Sequence, residues 1–180
     1  LLSSQPDTAA HNWPLLSSKP ITAGGEGLPT ANVVDFGARG DDDKDDTLAI
    51  NKAITSLRGT GGILLFPSSQ VAGRNFTYIS QPLLLNVSLL TLQIERGARL
   101  VALCDLSKWP VAPAWPSFHD EGPQFVPFLH VLNTTDFKFD GGGTIDGNGT
   151  CFWGQKSGPE RPRNFLVEGV QRVLIQHMRI

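Results

Sequence analysis

The chain is short of cysteine, methionine and charge. Two cysteines, one methionine and one tyrosine occur in 180 residues, and Asp, Glu, Lys and Arg together make up 18%. Two thiols are too few for the dense disulfide framework of a small secreted scaffold, and their spacing to the four histidines fits no zinc pattern. Cys104 and Cys151 therefore stand either as one disulfide in an oxidising compartment or as two separate thiols. No cluster of basic side chains is present, which disfavours nucleic acid as a partner. No apolar run approaches the roughly 20 residues of a membrane-spanning helix. The first residue is Leu1, and no basic-then-apolar leader follows it, which is expected of a chain whose leader is removed or of a piece of a longer one.

What is plentiful is glycine (19) and proline (13), beside a hydrophobic content of 40%. That balance predicts one turn-rich β domain with a sizeable core rather than a helix bundle. The net charge of −2 is unevenly spread: residues 1–137 hold 9 basic and 13 acidic side chains, and residues 138–180 hold 6 and 4. The basic bias of the second stretch either suits an acidic polymer or is scatter over a solvated surface. Four Asn-x-Ser/Thr sequons, at Asn75, Asn86, Asn133 and Asn148, are candidates for glycosylation and lean towards a secretory route.

Along the chain, residues 1–30 are rich in Ser, Pro, Gly and Thr and read as a flexible arm. Rungs of a repetitive β domain are expected over 31–180. Asn32–Gly37 predicts a short strand ending at glycine. The acidic stretch Asp41–Asp46 raises a calcium loop, but the glycine and the distal glutamate that such a loop needs are missing, so a solvated turn is the better reading. Its last members, Asp45, Asp46 or Thr47, can accept hydrogen bonds from the free N–H groups of a helix whose apolar face is Ile50, Ala53, Ile54 and Leu57. Gly59, Gly61 and Gly62 stop that helix.

From Gly62 onward short β-rich segments alternate with turns. Strands are predicted at Gly62–Phe66, Leu83–Leu85, Leu90–Ile94, Arg99–Leu103, Phe128–Val131, Asp136–Phe139, Asn164–Val167 and Arg172–Ile175. A degenerate repeat aligns Leu92, Ile94, Gly97 and Leu100 with Phe137, Phe139, Gly142 and Ile145, and Val173-x-Ile175 opens a third copy with Met178 and Ile180 facing inward. A constant strand pattern with loops of varying length predicts an all-β solenoid, a right-handed parallel β-helix, whose open first coil is covered by the helix at Thr47–Leu57. The Pro-rich insertion Lys108–Pro127, with Trp109 and Trp115, is expected as a long loop forming one wall of a cleft.

These residues resemble a known family. Phe36-Gly37-Ala38-Arg39-Gly40-Asp41, then Asp45-Asp46-Thr47 and a helix, is similar to the opening of pectin-active β-helix proteins. Gly143-Thr144-Ile145-Asp146-Gly147-Asn148-Gly149, then Trp153 and Arg161-Pro162-Arg163, resembles glycoside hydrolase family 28, the polygalacturonases. The resemblance covers 32–180. It implies a secreted monomer that hydrolyses α-1,4-linked galacturonate in pectin by inversion, with no cofactor and no metal. It also implies catalytic Asn-Thr-Asp, Asp-Asp, Gly-His-Gly and Arg-Ile-Lys motifs on later rungs. None stands after the helix here: the Asp-Asp steps at Asp41–Asp46 precede it, and His177 has no flanking glycines. The chain is thus expected to be the N-terminal portion of such an enzyme, to end before its catalytic residues, and to carry none.

Three residues remain as substrate-binding candidates. Arg161 and Arg163 can meet a carboxylate bidentately or can close a loop onto the next rung. Trp153 can stack on a sugar or cover the rung below. Asp146 is expected to shape a turn rather than to act as an acid. Two other functions stay open: a non-catalytic β-helix that binds or supports carbohydrate, and a β-helix lyase, which would need calcium and a basic proton abstractor.

Overall fold

The structure, a computed structural model, describes residues 27–69, 74–112, 123–153 and 161–180. The arm therefore lies mostly outside the described residues, as do Trp13 and Trp115. Strands β1 (Thr30–Asn32) and β2 (Gly62–Phe66) flank the only α-helix among the described residues, α1 (Thr47–Ser56). They are followed by β3 (Phe76–Ser80), β4 (Leu83–Leu85), β5 (Leu90–Ile94) and β6 (Ala98–Ala102). A short antiparallel pair, β7 (Val111–Ala112) and β8 (Gln124–Phe125), interrupts the series. The rest are β9 (Leu129–Leu132), β10 (Thr135–Asp140), β11 (Thr144–Asp146), β12 (Phe165–Glu168) and β13 (Gln171–Ile175).

Apart from the β7–β8 pair, all strand pairing is parallel and forms three sheets: β1-β2-β5-β10-β13, β11-β6-β3 and β12-β9-β4. The chain visits the three sheets in turn and returns one strand further along each, so the described residues coil as a right-handed parallel β-helix. Inside, identical registers stack like on like. Leu64, Leu92, Phe139 and Ile175 form one column, Tyr78, Leu100 and Ile145 a second, and Leu83, Leu129 and Phe165 a third. Most members of these columns are fully buried, with Phe137 and Phe139 packed ring on ring at 4.8 Å. The last strand is the exception: Val173, Ile175 and Ile180 are exposed, and Met178 packs partly against the core. Arg179 bridges Thr144 in parallel, which puts Ile180 in register with the buried Ile145.

Two local expectations are corrected. Val33–Phe36 is a 3-10 turn, not a strand: the Asn32 side chain accepts a hydrogen bond from Val34 N–H at 3.1 Å, and Gly37 closes the turn with φ 104°. The strand lies just before it, with Pro29 C=O accepting from Ile63 N–H at 2.8 Å. The repeat is also out of register in its first half. Phe139 pairs with Leu92 rather than with Ile94, while Ile145 pairs with Leu100 as expected. The turn through Gly141, Gly142 and Gly143 is two residues tighter than the one through Glu95-Arg96-Gly97. A slip of two keeps every side chain on its face, which is why the alternation alone did not reveal it.

Helix α1 covers the open first coil with Ala49, Ile50, Ala53 and Ile54 buried. The N-cap position, Asp46, makes no side-chain bond to the helix; the residue before it, Asp45, accepts through its carboxylate from both the N–H (3.0 Å) and the hydroxyl of Thr47. Asp46 turns inward instead.

Candidate functional site

A pocket of about 260 Å³ opens where the β7–β8 insertion, the 3-10 turn Gly149–Phe152 and the entry to β12 meet. Its inner wall is aromatic. Trp109 is buried, crosses Phe152 edge-on at 4.8 Å, and donates its indole N–H to Leu103 C=O at 3.0 Å. Phe125 and Phe128 complete the cluster. The insertion is thus one wall of a cavity, and its first tryptophan is part of the core. Residues 113–122 lie outside the described residues.

The sequence brings the wall together through two ties. Cys104 and Cys151 are joined as a disulfide, with Cα atoms 5.6 Å apart, and so hold the turn that carries Phe152 against the end of β6. Backbone bonds from Phe128 N–H to Arg163 C=O (2.9 Å) and from Leu129 N–H to Asn164 C=O (3.1 Å) hold the entry to β12 against β9.

All three substrate-binding candidates lie at this pocket, but their surroundings differ. Trp153 is 65% exposed on the rim. The cover of the coil is its neighbour Phe152, which is buried, so the covering role passes one residue along the chain. Arg163 is half-buried and donates to the Oε1 of Gln124, a residue buried at the foot of β8. It closes the insertion onto the next coil. Arg161 is exposed on the rim and has no ion pair among the described residues. Asn164, which sequence reasoning did not single out, lines the pocket beside Gly147. Its Oδ1 is sealed without a hydrogen-bond partner, and a Cβ on Gly147 would stand 3.0 Å from it.

Asp146 is a turn residue. One carboxylate oxygen accepts from Asn148 N–H at 2.8 Å and the other from Arg99 at 2.6 Å. The pocket lining contains no carboxylate among the described residues. His177 sits on the outside of β10–β13 against Asp140 at 3.0 Å, far from any Gly-His-Gly context. Lys138, Gln176, His177 and the Gly141 N–H all bond to Asp140 and hold its carboxyl well below the usual range despite its partial burial. Of the sequons, Asn75, Asn86 and Asn133 are exposed, whereas the Asn148 side chain donates to Ala102 C=O at 3.1 Å and is committed to the fold.

Comparison with known proteins agrees with this architecture. Residues 30–70 match the family model described as "Rhamnogalacturonase A/epimerase, pectate lyase-like". That stretch holds β1, the 3-10 turn, the acidic turn, α1 and β2. A Vitis vinifera protein named "Probable polygalacturonase" is 30% identical over 150 residues, which is 77% of this chain and 29% of that protein. The Yersinia enterocolitica family 28 exopolygalacturonase superposes with a TM-score of 0.56 at 26% identity, covering 67% of this chain and 21% of that one. The hyperthermoactive exopolygalacturonase from Thermotoga maritima superposes with a TM-score of 0.56 at 20% identity over 79% of this chain and 41% of that one, a likeness of fold. The chain spans less than a third of its curated relative's length, and within that span, in sequence and in fold, it is polygalacturonase-like.

Proposed function

We propose that the chain forms the N-terminal coils of a secreted, monomeric hydrolase that cuts α-1,4-galacturonosyl linkages of pectin with inversion, and that its pocket receives one acidic sugar of the polymer. The observation that carries this reading is the pairing of an exposed tryptophan with an arginine at one rim. The flat face of a pyranose suits an indole, and a uronate carboxylate suits a planar guanidinium. Arg161 and Trp153 take these parts, while Arg163 positions the wall through Gln124.

Inverting hydrolysis needs one carboxylic acid to protonate the leaving oxygen and a carboxylate across the sugar to activate water. The pocket supplies binding groups and no such pair among its described residues. We therefore place the acid and base on further coils, not on Asp146. The same observation favours a second reading, a β-helix that holds an acidic glycan without cutting it.

Reducing-end release from polygalacturonic acid separates the two. The 180-residue chain is expected to release none. A chain in which these coils are continued by the downstream coils of the Vitis vinifera relative is expected to release reducing ends, with the new anomeric centre inverted. Release by the 180-residue chain itself, or a product with retained configuration, contradicts the assignment.

A further inference from the structure

Asp46 is a carboxylate in an unfavourable place. It is 6% exposed, at the junction of the acidic turn, α1 and β3. Its backbone ties all three: the N–H donates to Ile79 C=O at 2.7 Å, and the C=O accepts from Ile50 N–H at 3.0 Å in the first turn of α1. One side-chain oxygen accepts from Arg39 N–H at 2.7 Å. The other, Oδ2, is buried and has no hydrogen-bond partner. A buried, half-satisfied carboxylate is costly when ionised and much less so when it carries a proton.

The groups that face it do not compensate. Asp42 in the turn and Asp45 beside α1 both act on it with like charge. Tyr78, from β3, is neutral, gives its hydroxyl to Pro67 C=O, and feels Asp46, Asp41 and Glu95 as negative neighbours. No cation acts on it as a counter-charge, and two lysines of this region are paired with its neighbours, Lys44 with Asp42 and Lys108 with Asp45 and Asp105. Arg39 offers its backbone N–H, and its residue is exposed.

We propose that Asp46 is an acid-strengthened latch for the N-terminal cap: uptake of one proton on its carboxyl tightens the junction of α1, the acidic turn and β3, so the cap holds more firmly in mildly acidic than in neutral solution.

The direction follows from the environment. Burial, the largest influence, pushes the Asp46 carboxyl up from 3.8 to about 6, against the opposing pull of the Arg39 and Ile79 backbone bonds. The folded chain then binds this proton more readily than the unfolded chain does. The stabilisation is complete below the unfolded value and is lost as pH rises through about 6. The carboxylates with lowered values, Asp45, Asp105, Asp136 and Asp140, act oppositely, but only below the ordinary carboxylate range.

Thermal unfolding of the 180-residue chain is expected to show a Tm about 3–5 °C higher at mildly acidic pH than just above neutrality. Asp46→Asn should flatten that rise. Asp42→Asn, a change on the turn surface that keeps the latch and removes a like charge, should move its midpoint to lower pH. Carbon-13 observation of the Asp46 carboxyl should show one proton taken up within the same interval. A wild-type slope retained in Asp46→Asn, or an Asp46 carboxyl that titrates in the ordinary carboxylate range, would overturn the proposal.

Discussion

Replacing Gly141 with alanine is expected to cost about 3–5 kcal/mol, or to prevent folding, through combined overpacking and backbone strain. Gly141 has φ 117°, where a side chain is strained whatever the space. A Cβ there would stand 2.2 Å from the carbonyl oxygen of Ile94, 2.7 Å from its carbonyl carbon and 2.8 Å from its nitrogen. All three are backbone atoms of the paired strand, so no rotamer change relieves the contact. Relief requires parting β5 from β10, the pairing that stacks Leu92 on Phe139. Gly97 is the control. It has φ 93°, but its nearest Cβ neighbours are the Asn75 and Ser68 side chains at 3.5 and 3.8 Å. Gly97→Ala should cost only the conformational term, about 1–2 kcal/mol. Denaturant midpoints of the two variants check the difference. Equal losses would show that close approach at the tight turn does not limit the fold.

The second large effect concerns the disulfide. Cys104 and Cys151 close a loop with a sequence separation of 47 residues. On the chain-entropy account, removing such a bond costs about 4 kcal/mol. Cys151→Ser, Cys104→Ser and the double variant should lose nearly the same stability, because each removes the same single bond. The loss should also reach the pocket. Cys151 adjoins Phe152 and Trp153, and Leu103, beside Cys104, accepts the Trp109 indole N–H. Thermal unfolding with and without reductant measures the first effect, and ligand affinity of the serine variants measures the second. Unchanged stability on reduction would remove the staple from the account.

Much of the fold was legible in the residues, and the reasons are local. β2, β4 and β5 run over the expected residues, because Pro67 and the turns at Gln81-Pro82 and Asn86 bound short apolar runs, and Leu90–Ile94 alternates apolar with polar residues. The buried face of α1 followed from helical spacing. The misses have physical causes. Val33 and Val34 favour a strand by type, but the Asn32 side-chain bond and the left-handed Gly37 favour a 3-10 turn. β3 was missed although Phe76, Tyr78 and Ser80 alternate with Thr77 and Ile79; its edge is fixed by pairing with β6, which no local signal announces.

The lining of the candidate pocket was legible by residue type and not by arrangement. Trp153, Arg161 and Arg163 do converge on one pocket. Which arginine faces outward is decided by Gln124, distant in sequence and brought close by the β7–β8 pair. Phe152 replaces Trp153 as the cover because the disulfide fixes the turn just before it. Asn164 and Gln124 carry no pattern that marks them in advance.

The central claim is that the rim formed by Trp153 and Arg161 recognises an acidic sugar. Titration of the 180-residue chain with a galacturonic acid oligosaccharide, followed through the Trp153 indole signal, tests it most directly. The account predicts a saturable shift of that signal. It predicts that the shift weakens at least tenfold, about 1.4 kcal/mol, in Arg161→Ala. A similar weakening is expected when the oligosaccharide carboxylates are reduced to neutral alcohols, while Arg99→Ala, a change outside the pocket lining, leaves the affinity unchanged. Equal binding of the acidic and neutral oligosaccharides, or full affinity in Arg161→Ala, would contradict it.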